Sequence, residues 1–203
     1  MKITAICAAA LLLAASSMAP AADEPVTASG PRSETGPTIE IVELIARVAK
    51  RTGKQFVLDP RVRGPVPTTG FDVNRVDYAR LLAILRVNQF AAYEGSGVVN
   101  VLPDANARQF ALPVSTQVDP QALDDEMVTL VVQAKHVCVP MTVPVLRPLM
   151  PQAAHLAAFQ QSNALIISDR AGNARKMVAV LEQLDKQAAE LGRTCDESGY
   201  KSN

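Results

Sequence analysis

Leu58-Asp59-Pro60-Arg61-Val62-Arg63-Gly64 is the stretch from which the fold is read, and Leu85-Arg86-Val87-Asn88-Gln89-Phe90-Ala91-Ala92 follows about one small module later. Asp59-Pro60 is turn chemistry: the aspartate bonds its own backbone and the proline presets its φ. Residues 55–58 before it read as a short strand. Upstream, Ile41, Ile45, Val48 and Thr52 recur at helical spacing, with Glu40, Glu43, Arg47, Lys50 and Arg51 on the other face. That pattern predicts an amphipathic helix over residues 39–52, with Thr38 as its N-cap and Gly53 in the left-handed stop position.

Downstream, residues 66–69 read as another strand, placed at a sheet edge because Pro65 and Pro67 have no N–H to give to a ladder. Asp72 or Asn74 is expected to cap a second helix running to about Val87. Residues 89–93 and 98–102, joined by Glu94-Gly95-Ser96-Gly97, predict a β-hairpin. The first module is therefore helix, strand, strand, helix, hairpin, over residues 38–103. Residues 104–126 read as a linker, with Asp124-Asp125-Glu126 as a solvated acidic run. A second module over residues 127–191 starts with the strand 127–132. A short helix kinked by Pro144 and Pro148 comes next, then a hairpin around Ser162-Asn163 and a long helix from Ala171 to Leu191. The fold class is α+β in two small domains.

The first 21 residues read as a secretory signal peptide. Lys2 starts it, a short Ala/Leu-rich apolar run follows, and Ala19-Pro20-Ala21 is a small-residue cleavage site. The run is shorter than the ~20 residues a membrane-spanning helix needs. Cys7 is no lipoprotein cysteine, because no apolar stretch precedes it. Residues 22–37, rich in Pro and Gly, read as a disordered lead-in, and residues 192–203 as a C-terminal tail. After cleavage the net charge is about −1, which gives no electrostatic reason to expect nucleic acid or anionic lipid. Apolar content is 48% but aromatics are 4% and Trp is absent, so the core is aliphatic and a deep aromatic ligand pocket is not expected.

The quoted blocks, together with Leu146-Arg147-Pro148-Leu149 and the run Ser162-Asn163-Ala164-Leu165-Ile166-Ile167-Ser168-Asp169-Arg170-Ala171-Gly172-Asn173, resemble the first two periplasmic modules of the type II secretion secretin, the GspD family. The resemblance covers residues 39–190. It implies a first module sharing its fold with the signalling domain of TonB-dependent receptors, and a KH-like second module of order strand-helix-strand-strand-helix. It also implies ring stacking in the periplasm and contact with an inner-membrane component. The sequence departs from the family in three ways. The Pro/Gly-rich residues 22–37 stand where the family has a leading strand, so an open sheet edge is expected. Pro65 and Pro67 interrupt the strand after the Asp-Pro turn. No series of alternating strands follows Leu191, so no barrel and no pore are expected.

The family topology brings the start of the second module's first helix and the end of its last helix to one end. An oxidising compartment then favours a Cys138–Cys195 disulfide. His136 and His155 are a poor zinc pair with these cysteines, since the topology puts His155 at the opposite end, and no metal or cofactor is expected. No nucleophile motif, phosphate loop or Gly-x-x-Gly RNA clamp occurs, so an enzyme is not expected. The leading reading is a periplasmic protein–protein interaction component of type II secretion. It would bind a full-length secretin or its inner-membrane partner through sheet edges, at Val66, Thr68, Gly70, Val98, Val99 and Val101. Homo-oligomer formation is left open. The alternatives are a signal-receiving domain like that of TonB-dependent receptors, or a truncated secretin remnant.

Overall fold

The structure is a computed structural model that describes residues 36–110, 112–196 and 199–202. The signal peptide and almost all of the expected lead-in lie outside the described residues. Those described fall in one compact unit, with one hydrophobic core on residues 39–101 and a second on residues 130–188.

The first core is wrapped by β1 (Thr38–Glu40), α1 (Ile41–Thr52), β2 (Phe56–Leu58), β3 (Pro65–Pro67), α2 (Tyr78–Val87), β4 (Phe90–Gly95) and β5 (Val98–Pro103). α1 buries Ile41, Leu44, Ile45 and Val48, and Gly53 at φ 71° closes it by donating its N–H to the Ala49 carbonyl. α2 is capped by Asp77, whose carboxylate accepts from Arg80 N; Asp72 instead caps a one-turn 3-10 segment at Val73–Arg75. This corrects the expectation of a cap at Asp72 or Asn74. β2, β5 and β4 form one sheet in that order, with β5 parallel to β2 and antiparallel to β4.

The leading strand is present, which corrects the expected gap. β1 pairs antiparallel with β3, Ile39 opposite Val66. Thr68 N donates to Pro37 O and Ile41 N to Gly64 O, in the same register. Alternate pairs in an antiparallel ladder exchange hydrogen bonds. Ile39–Val66 is therefore a bonded pair, and the nitrogens of Pro65 and Pro67 point away from β1. In the Asp-Pro turn, Asp59 receives Arg61 N and the Arg61 guanidinium at 2.9 Å. That pairing holds the Asp59 carboxyl at about 2.

The second core is built by β6 (Val114–Ser115), β7 (Met127–Gln133), α4 (Val139–Leu146), β8 (His155–Phe159), β9 (Ala164–Arg170) and α5 (Ala171–Glu190), with the short α3 (Asp104–Ala107) before them. The sheet order is β6-β7-β9-β8, and α4 and α5 cover one face. From β7 onward the order is strand, helix, strand, strand, helix. The expected linker contributes structure of its own: β6 extends this sheet in parallel with β7. A hairpin of β10 (Arg193–Asp196) and β11 (Gly199–Ser202) occupies the expected tail.

Candidate interaction faces

The six residues proposed from sequence as an open edge do not form one. Val66 is buried and its backbone is paired with Ile39. Thr68 gives both its N–H and its hydroxyl to Pro37 O, and Gly70 sits at φ 90° in a turn. Val98, Val99 and Val101 lie on β5, the central strand, and Val99 and Val101 are each 1% exposed. The edge is closed because three residues, 38–40, suffice to pair β3, and β2 covers the far side of β5.

Unpartnered apolar surface lies instead on the second module. α4 turns Val139, Thr142 and Leu146 into the core. Its outer side, continued by the 3-10 turn Arg147–Leu149, carries Met141 (57% exposed), Val145 (66%) and Leu149 (49%), with Pro144 and Pro148 also exposed. Lys176 borders that face at one end, its Nζ donating to the Leu149 carbonyl at 3.0 Å. On the opposite side of the module, the uncovered sheet face aligns Val131, Ile166 and Ala157 across β7, β9 and β8, with the half-exposed Phe159 beyond them. The spacing Met141–Val145–Leu149 is the sequence signal for the first of these faces.

Two polar anchors hold α4 in place. Asn163, at φ 47°, accepts Val139 N on its Oδ1 and donates Nδ2 to the carbonyls of Ala134 and Val137. Asp185 on α5 accepts the N–H groups of Lys135, His136 and Val137 at 2.6–3.1 Å. Burial works to raise the Asp185 pKa, but these three donors outweigh it and the net shift is downward. The structure bonds Cys138 to Cys195, with their Cα atoms 5.0 Å apart, and so fastens β10 to the start of α4.

An apolar cluster of Ala91, Ala107, Leu112 and Met127 joins β4 to β7, and a polar network centres on the buried Arg170. Arg170, 3% exposed, bonds Asp104 and the carbonyl of Phe90, and lies 3.9 Å from Asp125. Asp125 also pairs with Arg86, and Asp124 with Arg175. The carbonyls of Glu126 and Asp124 accept Ala171 N and Gly172 N at the start of α5. Within the acidic triplet Asp125 is thus paired and largely buried, while Asp124 stays exposed, as the sequence reading expects. Gly172 packs closely here: a Cβ would stand 3.2 Å from Asp124 Cβ and 3.3 Å from its carbonyl oxygen, so the Asp124 loop would have to shift to admit one. Asp169 is buried, and burial pushes its pKa up; its Oδ2 has no hydrogen-bond partner. The residues of the Ser162–Asn173 run therefore anchor α4, fill the core and tie the junction.

Residues 37–101 match the GspD-like N0 domain. The chain carries secretin N-terminal modules of the GspD type. It is 33% identical over 153 residues to the secretin XcpQ of Pseudomonas aeruginosa, covering 74% of this chain and 22% of that protein. It is 30% identical over 180 residues to the secretin PulD of Klebsiella pneumoniae, covering 86% of this chain and 26% of PulD. In solved form it is similar to a chain of the Klebsiella pneumoniae type II secretion outer membrane complex, which contains PulD, PulS and the PulC HR domain. The TM-score there is 0.62 at 28% identity, over 75% of this chain and 26% of that one. The chain spans about a quarter or less of the length of these relatives. Among the described residues no helix is long and apolar enough to cross a membrane.

Proposed function

We propose that the chain is a protein–protein interaction component of type II secretion on the periplasmic side, and that it joins a secretin through the faces of its second module. The carrying observation is the pair of apolar faces on opposite sides of that module. Two different patches on one module favour head-to-tail contact with a similar module, the geometry that builds rings when the rotation closes. Burying the exposed half of Met141, Val145 or Leu149 contributes on the order of 1 kcal/mol each. The similarity to PulD supplies the class of partner, a secretin carrying the same module, and the signal-peptide reading supplies the compartment. The buried Arg170, which ties the second core to Asp104 and to the Phe90 carbonyl, supports this reading by joining the two modules. The signal-receiving alternative draws support from neither the faces nor the similarities.

The test is cysteine crosslinking in the secreted, disulfide-intact chain. Val145→Cys on one copy and Val131→Cys on another should form a mixed disulfide on mild oxidation, while either variant alone should form few homodimers. Val145→Glu should abolish capture of a co-expressed GspD-type secretin. Equal crosslinking of all combinations, or undiminished capture by the glutamate variant, would remove the face-to-face reading.

A further inference from the structure

A groove of about 580 Å³ runs between the two modules, and no element of the assembly reading uses it. Tyr78, Tyr93, Glu94, Asp119, Glu126 and Met127 are among its lining residues, and no lysine, arginine or histidine lines it. Glu94, Asp119 and Glu126 make its lining acidic, and Arg175 stands at one rim, donating to the carbonyls of Asp119 and Ala122. The Tyr78 hydroxyl is pushed up to about 12, first by burial and then by the charges of Glu126 and Glu94. The chain's own Lys54 already sits 4.8 Å over the Tyr78 ring and 2.9 Å from Glu94. Asp119 and Glu126 make no ion pair among the described residues. One tyrosine of the groove thus holds a cation, while two carboxylates remain without one.

The groove is also bordered by strand edges. β4 is the outer strand of its sheet, and β6 pairs only with β7. Gly95 faces Val98 across the two-residue turn Ser96-Gly97, so Gly95, Tyr93 and Ala91 exchange bonds with β5. Glu94 and Ala92 then aim their N–H and C=O groups away from β5. The other strand agrees: their opposite residues Val99 and Val101 bond outward, to Gln55 O and Asp59 N. Ala92 and Glu94 both line the groove, so an unpaired stretch of backbone faces it together with the carboxylates.

We propose that this groove binds an extended basic segment of a partner protein, added as a strand along β4. Backbone pairing would go through Ala92 and Glu94, and a lysine or arginine would lie against Asp119 and Glu126. Carboxylates without a cationic partner select for charge, and the strand edge selects for extended chain over a compact cation. The inference does not depend on the faces of α4 and the second sheet.

The probe is a fluorescein-labelled seven-residue peptide of alternating Lys and Val, titrated with the disulfide-intact chain by fluorescence anisotropy. It should bind, weaken as salt rises, and lose about tenfold in affinity on N-methylation of the central backbone amides that face the edge. The Asp119→Asn/Glu126→Gln double variant should also lose about tenfold. Both replacements keep an oxygen to accept Gln121 N and Leu123 N, so the fold is retained, and the N-methylated peptide tests pairing without altering the protein. Glu43→Gln on the exposed face of α1 should change affinity by less than about twofold. The proposal is overturned by equal binding of a Glu/Val counterpart, by indifference to N-methylation, by equal loss in the Glu43 variant, or by no binding up to about 1 mM peptide.

Discussion

Arg170 and Asp104 are 66 residues apart in sequence and meet at 3.1 Å between the two cores. The guanidinium also bonds the Phe90 carbonyl, so one side chain of the second module is anchored to the end of the first. Removing one partner of a buried pair costs about 3 kcal/mol, because the other charge is left uncompensated. Arg170→Ala should therefore lower unfolding free energy by about that amount in urea titration. Arg170→Lys should recover only part of it, since an ammonium cannot serve several acceptors in the plane of a guanidinium. An alanine variant as stable as wild type would show that the junction is held by packing alone.

Asp185 gives the second module an acid limit. Its folded pKa is depressed, so its contribution is complete above the unfolded value near 3.9 and is lost as pH falls through the folded value. Asp185→Asn should cost about 1.5 kcal/mol at neutral pH. The gap between the two proteins should stay constant from about pH 7 to 5 and close below about pH 4. Denaturant midpoints across that range measure it; a gap that persists unchanged at the lowest pH would refute the role of the charge.

The Cys138–Cys195 bond spans 57 residues, for which chain entropy predicts about 4 kcal/mol of stabilisation. Reduction should cost up to that amount and release β10 from the start of α4. Hydrogen exchange should then show loss of protection in β10 and β11 ahead of α4. Non-reducing peptide mapping should recover the linked peptides; alkylation of both thiols without reductant would exclude the bond.

Val101→Pro should be a folding defect rather than a binding defect. Val101 is buried on the central strand, where its N–H faces β2 in the parallel ladder, and a proline has no N–H to give there, so the change costs about 3 kcal/mol or more. Circular dichroism and urea unfolding should show the loss of the first core. A variant that folds with wild-type stability would contradict the β2-β5-β4 order.

Local signals were legible. The period of α1, the stop at Gly53, the hairpin around Glu94-Gly95-Ser96-Gly97 and the long α5 were all readable from spacing and turn chemistry, because neighbours in sequence create them. Features set by distant contacts were not. Thr38 reads as a helix cap, yet Val66 across the turn makes residues 38–40 a strand. Asp72 and Asn74 read as caps for α2, but a 3-10 segment at Val73–Arg75 delays the helix and Asp77 caps it instead. Val114-Ser115 is too short to read as a strand without Thr129 and Leu130 beside it. Asp125 reads as solvated until Arg86 and Arg170 are folded against it. The unpartnered faces of the second module do not show in the sequence, because α4 is apolar on both sides and only the fold decides which side meets the core.

The outward-pointing nitrogens of Pro65 and Pro67 leave the free side of β3 able to accept hydrogen bonds but unable to give any. A strand arriving there would complete only half a ladder and leave its own carbonyls unanswered. The small β1–β3 sheet is therefore one-sided by chemistry. Where many like chains are crowded together, that side refuses accidental strand exchange without spending a single charge, and leaves recognition to other parts of the surface.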